Sequence, residues 1–169
     1  MGKAAWVVDI GYVVKASEGI FRLDYAMALR LLEGRLGSTQ AFLFNGYDPD
    51  YGVPEGLQAF YSAMEQQGMV VRLQPMQSGP PGSNRQRRVD VDLGAHLVWQ
   101  AGLTEITSLV LTTGDQDLVP AVDVARQRCG KRVILFTYRA NVHHGLEETV
   151  DEWWLFENER EEIAWRPYG

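Results

Sequence analysis

The stretch Ser108-Leu-Val-Leu-Thr-Thr-Gly-Asp-Gln-Asp-Leu-Val-Pro-Ala-Val122 decides the fold. Its opening residues are apolar, β-prone and free of helical period, which fits a short strand buried on both faces. Thr112-Thr113-Gly114 then turns the chain, and Pro120 stands in the first turn of the segment that follows, where a missing N–H costs nothing. A buried strand that passes at once into a helix is half of a parallel β-α-β unit. Working outward, the same alternation recurs. Strand-like runs fall at residues 5–8, 41–44, 69–73, 108–111 and 132–136, and helical-period stretches at 24–36, 54–67, 89–101 and 117–128. Gly68 and Gly130 follow two of those helices where a C-cap is wanted. The order predicts an α/β fold: an open, mostly parallel sheet of about five strands with helices on both faces, a three-layer Rossmann-like sandwich.

The 169 residues suit one domain with a single substantial core, and 46% hydrophobic content with five Trp and seven Tyr argues against disorder. No run of about 18 apolar residues occurs, and the opening residues lead straight into a strand without a signal-peptide core, so a cytoplasmic location and no membrane partner are expected. The lone Cys129 excludes an internal disulfide and lacks the spaced partners of a zinc site; a small hydrophobe near a helix end is expected. The net charge of −6 is uneven, because residues 147–162 carry eight acids against one base and leave the rest of the chain at +1. Residues 72–88 hold Arg72, Arg85, Arg87 and Arg88 and no acid, a local field that attracts phosphate. The Gly/Pro/Ser-rich part of that stretch, 77–88, reads as a mobile loop.

Asp9 ends the first apolar run, and Asp115 and Asp117 follow the fourth. In an open parallel sheet the ligand crevice lies beyond the carboxyl ends of the strands, where strand order reverses, usually beside the first strand. If the first and fourth strands are neighbours there, these three aspartates converge. Asp90 is the fourth candidate. Leu93, Gly94, Leu97 and Ala101 share its helical face, whereas Asp92, His96 and Gln100 form a separate polar stripe. A carboxylate on a core-facing stripe needs compensation, from the helix N-terminus in part and from a cation more fully. Mg²⁺ and Mn²⁺ take hard oxygen ligands, and carboxylates within about 4–6 Å of one another repel unless a cation joins them. Each aspartate also has a structural alternative, as a helix cap or turn former. For Asp90, Asp92 and Asn84 compete as the cap.

Three segments together resemble the motifs of the NYN domain, and most closely its LabA-like (DUF88) branch of PIN-like nucleases. They are Trp6-Val-Val-Asp9-Ile-Gly11, Arg88-Val-Asp90-Val-Asp-Leu93, and Thr113-Gly-Asp115-Gln-Asp117-Leu-Val-Pro-Ala-Val122 followed by Gly130-Lys-Arg-Val-Ile-Leu135. The third motif is the specific one. The resemblance spans about residues 5–155, so residues 1–155 are expected to form the domain, with 156–169 an acidic C-terminal extension packed on it or trailing from it. It implies a PIN-like fold, a Mg²⁺ or Mn²⁺ site and ribonuclease activity, with Asp9, Asp90, Asp115 and Asp117 as catalytic and metal-holding residues. Two positions depart from the family pattern: Tyr12 stands where Asn is common, and His96 where a further Asp is frequent. Tyr12 could offer a hydroxyl to substrate, and His96 is expected to face solvent.

Substrate contacts are expected from Tyr12, Arg85, Arg87, Arg88, Thr113, Arg139 and Asn141. The three arginines precede the helix bearing Asp90 and would deliver a phosphate backbone toward it. Arg139 and Asn141 follow the fifth strand at the same crevice edge, where Tyr138 could stack a base. His143-His144 is a poor metal motif, since adjacent residues share no face, and a capping role is expected instead. No P-loop, Gly-x-Gly-x-x-Gly fingerprint or nucleophile elbow is present. The leading expectation is a divalent-metal-dependent endoribonuclease, with DNA open as a second substrate. Its rivals are a regulatory or scaffold protein on the same fold, binding RNA or a protein partner, and a small phosphatase. A homodimer is open in each case.

Overall fold

Every strand pairing in the computed structural model is parallel, and the sheet order is β3-β2-β1-β4-β5-β6. Residues 2–80, 83 and 85–167 are described, so Asn84, one expected cap for the helix of Asp90, lies outside them. The elements run β1 (Lys3–Asp9), α1 (Ile10–Ala16), α2 (Tyr25–Leu36), β2 (Thr39–Tyr47), α3 (Glu55–Gln66), β3 (Val70–Pro75), α4 (Arg87–Ala101) and β4 (Ile106–Thr112). A 3-10 turn (Gln116–Leu118), α5 (Val119–Asp123) and a π-helical turn (Val124–Arg128) lead to β5 (Arg132–Thr137), α6 (His144–Glu147), β6 (Glu152–Leu155), a second 3-10 turn (Phe156–Glu159) and α7 (Arg160–Ile163).

The α/β class and the helices on both faces agree with the sequence pattern, but the sheet has six strands rather than five. The sixth, β6, pairs Glu152 to Leu155 with Ile134 to Thr137. The apolar run Trp153-Trp154-Leu155-Phe156 inside the acidic segment reads as a last strand or helix against the sheet, and a strand of four residues is what forms. Helix α1 also departs from expectation. Residues 10–16 are not among the expected helical stretches, because Ile10-Gly-Tyr-Val-Val is rich in β-prone residues; Asp9 ends the strand as expected and also caps the helix with its side chain.

Period-2 alternation along each strand divides the core. Ala4, Trp6 and Val8 of β1, with Val110 and Phe136, face α1, α2 and the C-terminal turn; Ala5 and Val7, with Leu109, Leu111 and Leu135, face α4 and α5. Leu93, Leu97 and Ala101 bury the expected stripe of α4. Gly68 and Gly130 take φ values of 86° and 67°, the left-handed caps that only glycine adopts without strain.

The acidic C-terminal stretch packs on the sheet. Phe156 and Ile163 are fully buried, and Trp165 N–H donates to the Arg22 carbonyl. Its charges are answered by bases: Glu159 pairs with Arg35, Glu152 with Arg132, and Asp151 with Arg126. Of the three tryptophans that read as packing anchors, Trp153, Trp154 and Trp165, the first two pack against the two cores, whereas Trp165 is a surface group stacked under the Arg22 guanidinium. Cys129 is half-buried against the α4–α5 core. No helix among the described residues is long and apolar enough to cross a membrane.

Candidate functional site

Strand order reverses between β1 and β4, and that is where a parallel sheet of this order opens its crevice. The register pairs Val8 with Thr112, so Asp9 and Thr113 leave the sheet side by side. Asp9 accepts from the Tyr12 backbone N–H at 3.2 Å, and the Thr113 hydroxyl donates to its other oxygen at 3.4 Å. The same hydroxyl accepts from Asp115 N–H at 3.3 Å, and Asp115 in turn accepts from Asp117 N–H at 2.8 Å. The Thr113 hydroxyl thus bonds both the Asp9 carboxylate at the end of β1 and the Asp115 backbone beyond β4.

That sharing has an electrostatic consequence. Burial pushes the Asp9 carboxyl above its ordinary value; the hydrogen bonds from Tyr12 N–H, Thr113 and Gly11 N–H oppose the shift, and the charge of Asp115 adds to it. Ionised Asp9 is therefore undercompensated by the protein itself.

Beneath the carboxylates the turn is locked. Trp6 Nε1 donates to Thr112 Oγ1 at 2.8 Å, and Thr112 Oγ1 donates to the Phe136 carbonyl at 2.6 Å, so β1, β4 and β5 are tied by side chains as well as by the ladder. Gly114 lies so close to Asn141 that a Cβ there would overlap the Asn141 carbonyl oxygen, and its own carbonyl accepts from His143 N–H at 3.0 Å. Asn141 takes the left-handed φ of 60° at this crossing. The Tyr12 ring closes the other side, 3.0 Å from where that Cβ would stand.

The other two expected ligands lie at the rim. Asp117 is exposed at the start of the 3-10 turn, and Asp90 is half-buried in the first turn of α4. Among the described residues no set of three or more His, Cys, Asp and Glu side chains is gathered to hold a metal ion. The expected four-aspartate cluster is therefore not assembled in this geometry. What the fold brings together is the pair Asp9 and Asp115, and Mg²⁺ commonly binds through one or two carboxylates plus water and substrate phosphate. The hard oxygen donors, and the burial and repulsion acting on Asp9, fit such an ion. Gln86 joins them: a Cβ at Gly11 would stand 3.3 Å from Asp9 Oδ1 and 3.5 Å from Gln86 Oε1. No spacing rule points to a lone glutamine in a loop.

Several expectations are corrected here. Tyr12 is buried and its hydroxyl donates to the Ala140 carbonyl at 2.8 Å, so it is committed to the protein instead of reaching substrate. Tyr138, expected to stack a base, is fully buried, and its hydroxyl donates to the Phe21 carbonyl at 2.6 Å. His96 does not face solvent: it packs edge-on to Phe44 and beside Phe42, with Nδ1 3.2 Å from Asp92. Arg72 is bound by two N–H groups to Asp92 and does not add free charge to the basic stretch. Arg85 donates to the Gln77 carbonyl at 3.1 Å and stands 4.0 Å from Asp48. Arg87 and Arg88 open α4, both exposed; Arg139 and Asn141 are exposed at the opposite rim, where Arg139 N–H donates to Glu157. His143 caps α6 by accepting from Gly145 N–H.

Fold and site together define a parallel α/β protein with a carboxylate pair at the sheet's switch point. VPA0982 of Vibrio parahaemolyticus, described as a protein of unknown function, is similar over 96% of this chain and 96% of its own, with a TM-score of 0.76 and 18% identity; this likeness shows the fold alone. A structure of Anabaena Alr3699/HepE in complex with UDP and glucose overlaps 80% of this chain and 29% of its own at a TM-score of 0.41 and 14% identity, too distant to carry an argument. No family model matches the chain, and no curated protein matches it in sequence.

Proposed function

We propose that this protein is a divalent-metal-dependent nuclease acting on single-stranded or structured RNA. The observation that carries the proposal is Asp9, half-buried at the carboxyl end of β1 within the field of Asp115, beside the helix whose first turn holds Arg87, Arg88 and Asp90. Asp9 and Asp115 would hold Mg²⁺ or Mn²⁺, with Asp90 and Asp117 at the rim as further acidic groups. The ion would supply charge neutralisation for a phosphodiester and lower the pKa of water. Thr113 and the Tyr12 N–H orient the Asp9 carboxylate, and Asp117 N–H orients Asp115. Arg85, Arg87 and Arg88 on one rim, with Arg139 and Asn141 on the other, draw the backbone across without reading its sequence.

The test is cleavage of end-labelled single-stranded RNA with Mn²⁺, with EDTA, and by Asp9→Asn and Asp115→Asn proteins. Cleavage with Mn²⁺ that is lost in EDTA and in both variants supports the reading, and activity in EDTA or undiminished activity in both variants overturns it. A second reading rests on the capping roles of both carboxylates, each of which already accepts a backbone N–H: a protein that binds RNA on this fold without turnover. RNA binding with no cleavage under any metal would favour it.

A further inference from the structure

We propose that the outer face of α4 is a docking track for single-stranded RNA leaving the crevice, with Trp99 as the platform on which a base stacks. The inference rests on the nuclease reading for its choice of ligand but stands on a separate surface. Arg88, Val91, Asp92, Ala95 and Trp99 fall on one side of the helix by its 3.6-residue period. Val91 is 66% and Trp99 56% exposed, unusual for a helix that buries its opposite face in the core. Between this face and the end of β3 lies a groove of about 450 Å³, lined by Arg87, Arg88, Val91 and Ala95 from the helix and by Gln74 and Gln77 opposite.

Charge selects a polyanion as the occupant. The one acid in the groove, Asp92, accepts from Arg72 Nε at 3.2 Å, from Arg72 Nη2 at 3.1 Å and from Gln74 at 3.3 Å, so its charge is answered internally. Arg87 and Arg88 are exposed with no carboxylate paired to either among the described residues. Phosphates entering the groove meet two guanidinium groups and no competing acid.

Geometry selects a single strand. Trp99 stands 5.7 Å from the His96 ring and 6.4 Å from Phe42, both edge-on, so the indole is held in one orientation before any ligand arrives. A fixed, half-exposed aromatic loses little freedom when a base stacks on it. From Arg88 to Trp99 the helix rises about 16 Å, the length of about five stacked nucleotides. The track begins in the first turn of α4, the turn that also carries Asp90.

The test is fluorescence anisotropy of a labelled twelve-nucleotide oligouridylate with the full chain in EDTA, where binding is separated from turnover. Trp99→Ala should weaken binding about tenfold, Trp99→Leu by a similar factor, and Trp99→Phe by less than about twofold. Unchanged affinity in Trp99→Ala, or full affinity in Trp99→Leu, overturns the track. So does a Trp99→Ala protein that changes oligomeric state in sedimentation while binding RNA normally, because the face would then be a protein contact. Trp99-dependent binding without Mn²⁺-dependent cleavage would sink the nuclease and keep the track; cleavage indifferent to Trp99 would do the reverse.

Discussion

The Tyr12 hydroxyl reaches across the switch point to the Ala140 carbonyl, 2.8 Å away and 128 residues on in the chain. Burial raises its pKa beyond any working pH, so the group stays a donor. It pins the loop after β5 to α1, and the Tyr12 ring presses the Gly114 turn from the other side. Tyr12→Phe keeps the ring and loses the bond, which should cost about 1 kcal/mol in urea unfolding. Cleavage should fall while the metal-induced stabilisation persists. A variant as stable as the original would show that the bond holds nothing in place.

Gly114 is predicted to tolerate no side chain. A methyl group there would overlap the Asn141 carbonyl, which is backbone and cannot swing aside. Gly114→Ala should therefore displace the turn, break the bond from His143 N–H and cost about 2–3 kcal/mol, with Asp115 shifted away from Asp9. Unfolding midpoints together with Mn²⁺ titration check this. An alanine variant with normal stability and normal metal response would mean the crossing is loose.

Asp9 gives stability a definite dependence on pH. Its folded pKa lies above the ordinary 3.8, so between that value and its folded pKa the native state binds more protons than the unfolded chain. Stability contributed at this position is greatest at low pH and is lost as pH rises through the folded value. In EDTA at neutral pH, Asp9→Asn should melt higher than the original protein and show a flatter acid limb. Mn²⁺ at about a hundredfold over its Kd should return about 2.7 kcal/mol to the original, a rise of about 5–11 °C, and much less to the variant. Equal metal shifts in both proteins would remove Asp9 from the ion's ligands.

How much of this was legible follows from which residues act locally. Alternating apolar runs and the caps at Gly68 and Gly130 announce themselves within a few residues, and so do the parallel strands and most helices. The approach of Asp9 and Asp115 was legible because strand ends and a switch point are topological, whereas Thr113, expected at substrate, bonds between them. Tyr12, Gln86 and Thr112 were not legible, since each acts through a partner far along the chain that no periodicity names. Strand β6 was half legible: Trp153-Trp154-Leu155-Phe156 marks an apolar element against the sheet, but four residues do not separate strand from helix, and the pairing of Asp151 and Glu152 with Arg126 and Arg132 is non-local. Asp90 shares a helical stripe with Leu93, Leu97 and Ala101, but a stripe fixes direction and not distance, and the gathering of all four acids did not follow from it.

Thr112 tests whether the rigidity beneath the carboxylates matters. Its hydroxyl accepts from the Trp6 indole and donates to the Phe136 carbonyl, all within the dry core. Thr112→Val matches the shape but strands the indole N–H without an acceptor, a loss of about 2–3 kcal/mol. Thr112→Ser keeps both bonds and gives up only a methyl group, about 1 kcal/mol. The two variants separate polarity from packing. If site geometry depends on this bond, valine should weaken Mn²⁺ stabilisation as well as the fold, whereas serine should lower the melting temperature and leave the metal response intact. Equal effects from valine and serine would assign Thr112 to packing alone and leave the Thr113-Gly114-Asp115 turn to be held by Tyr12 and Asn141 without it.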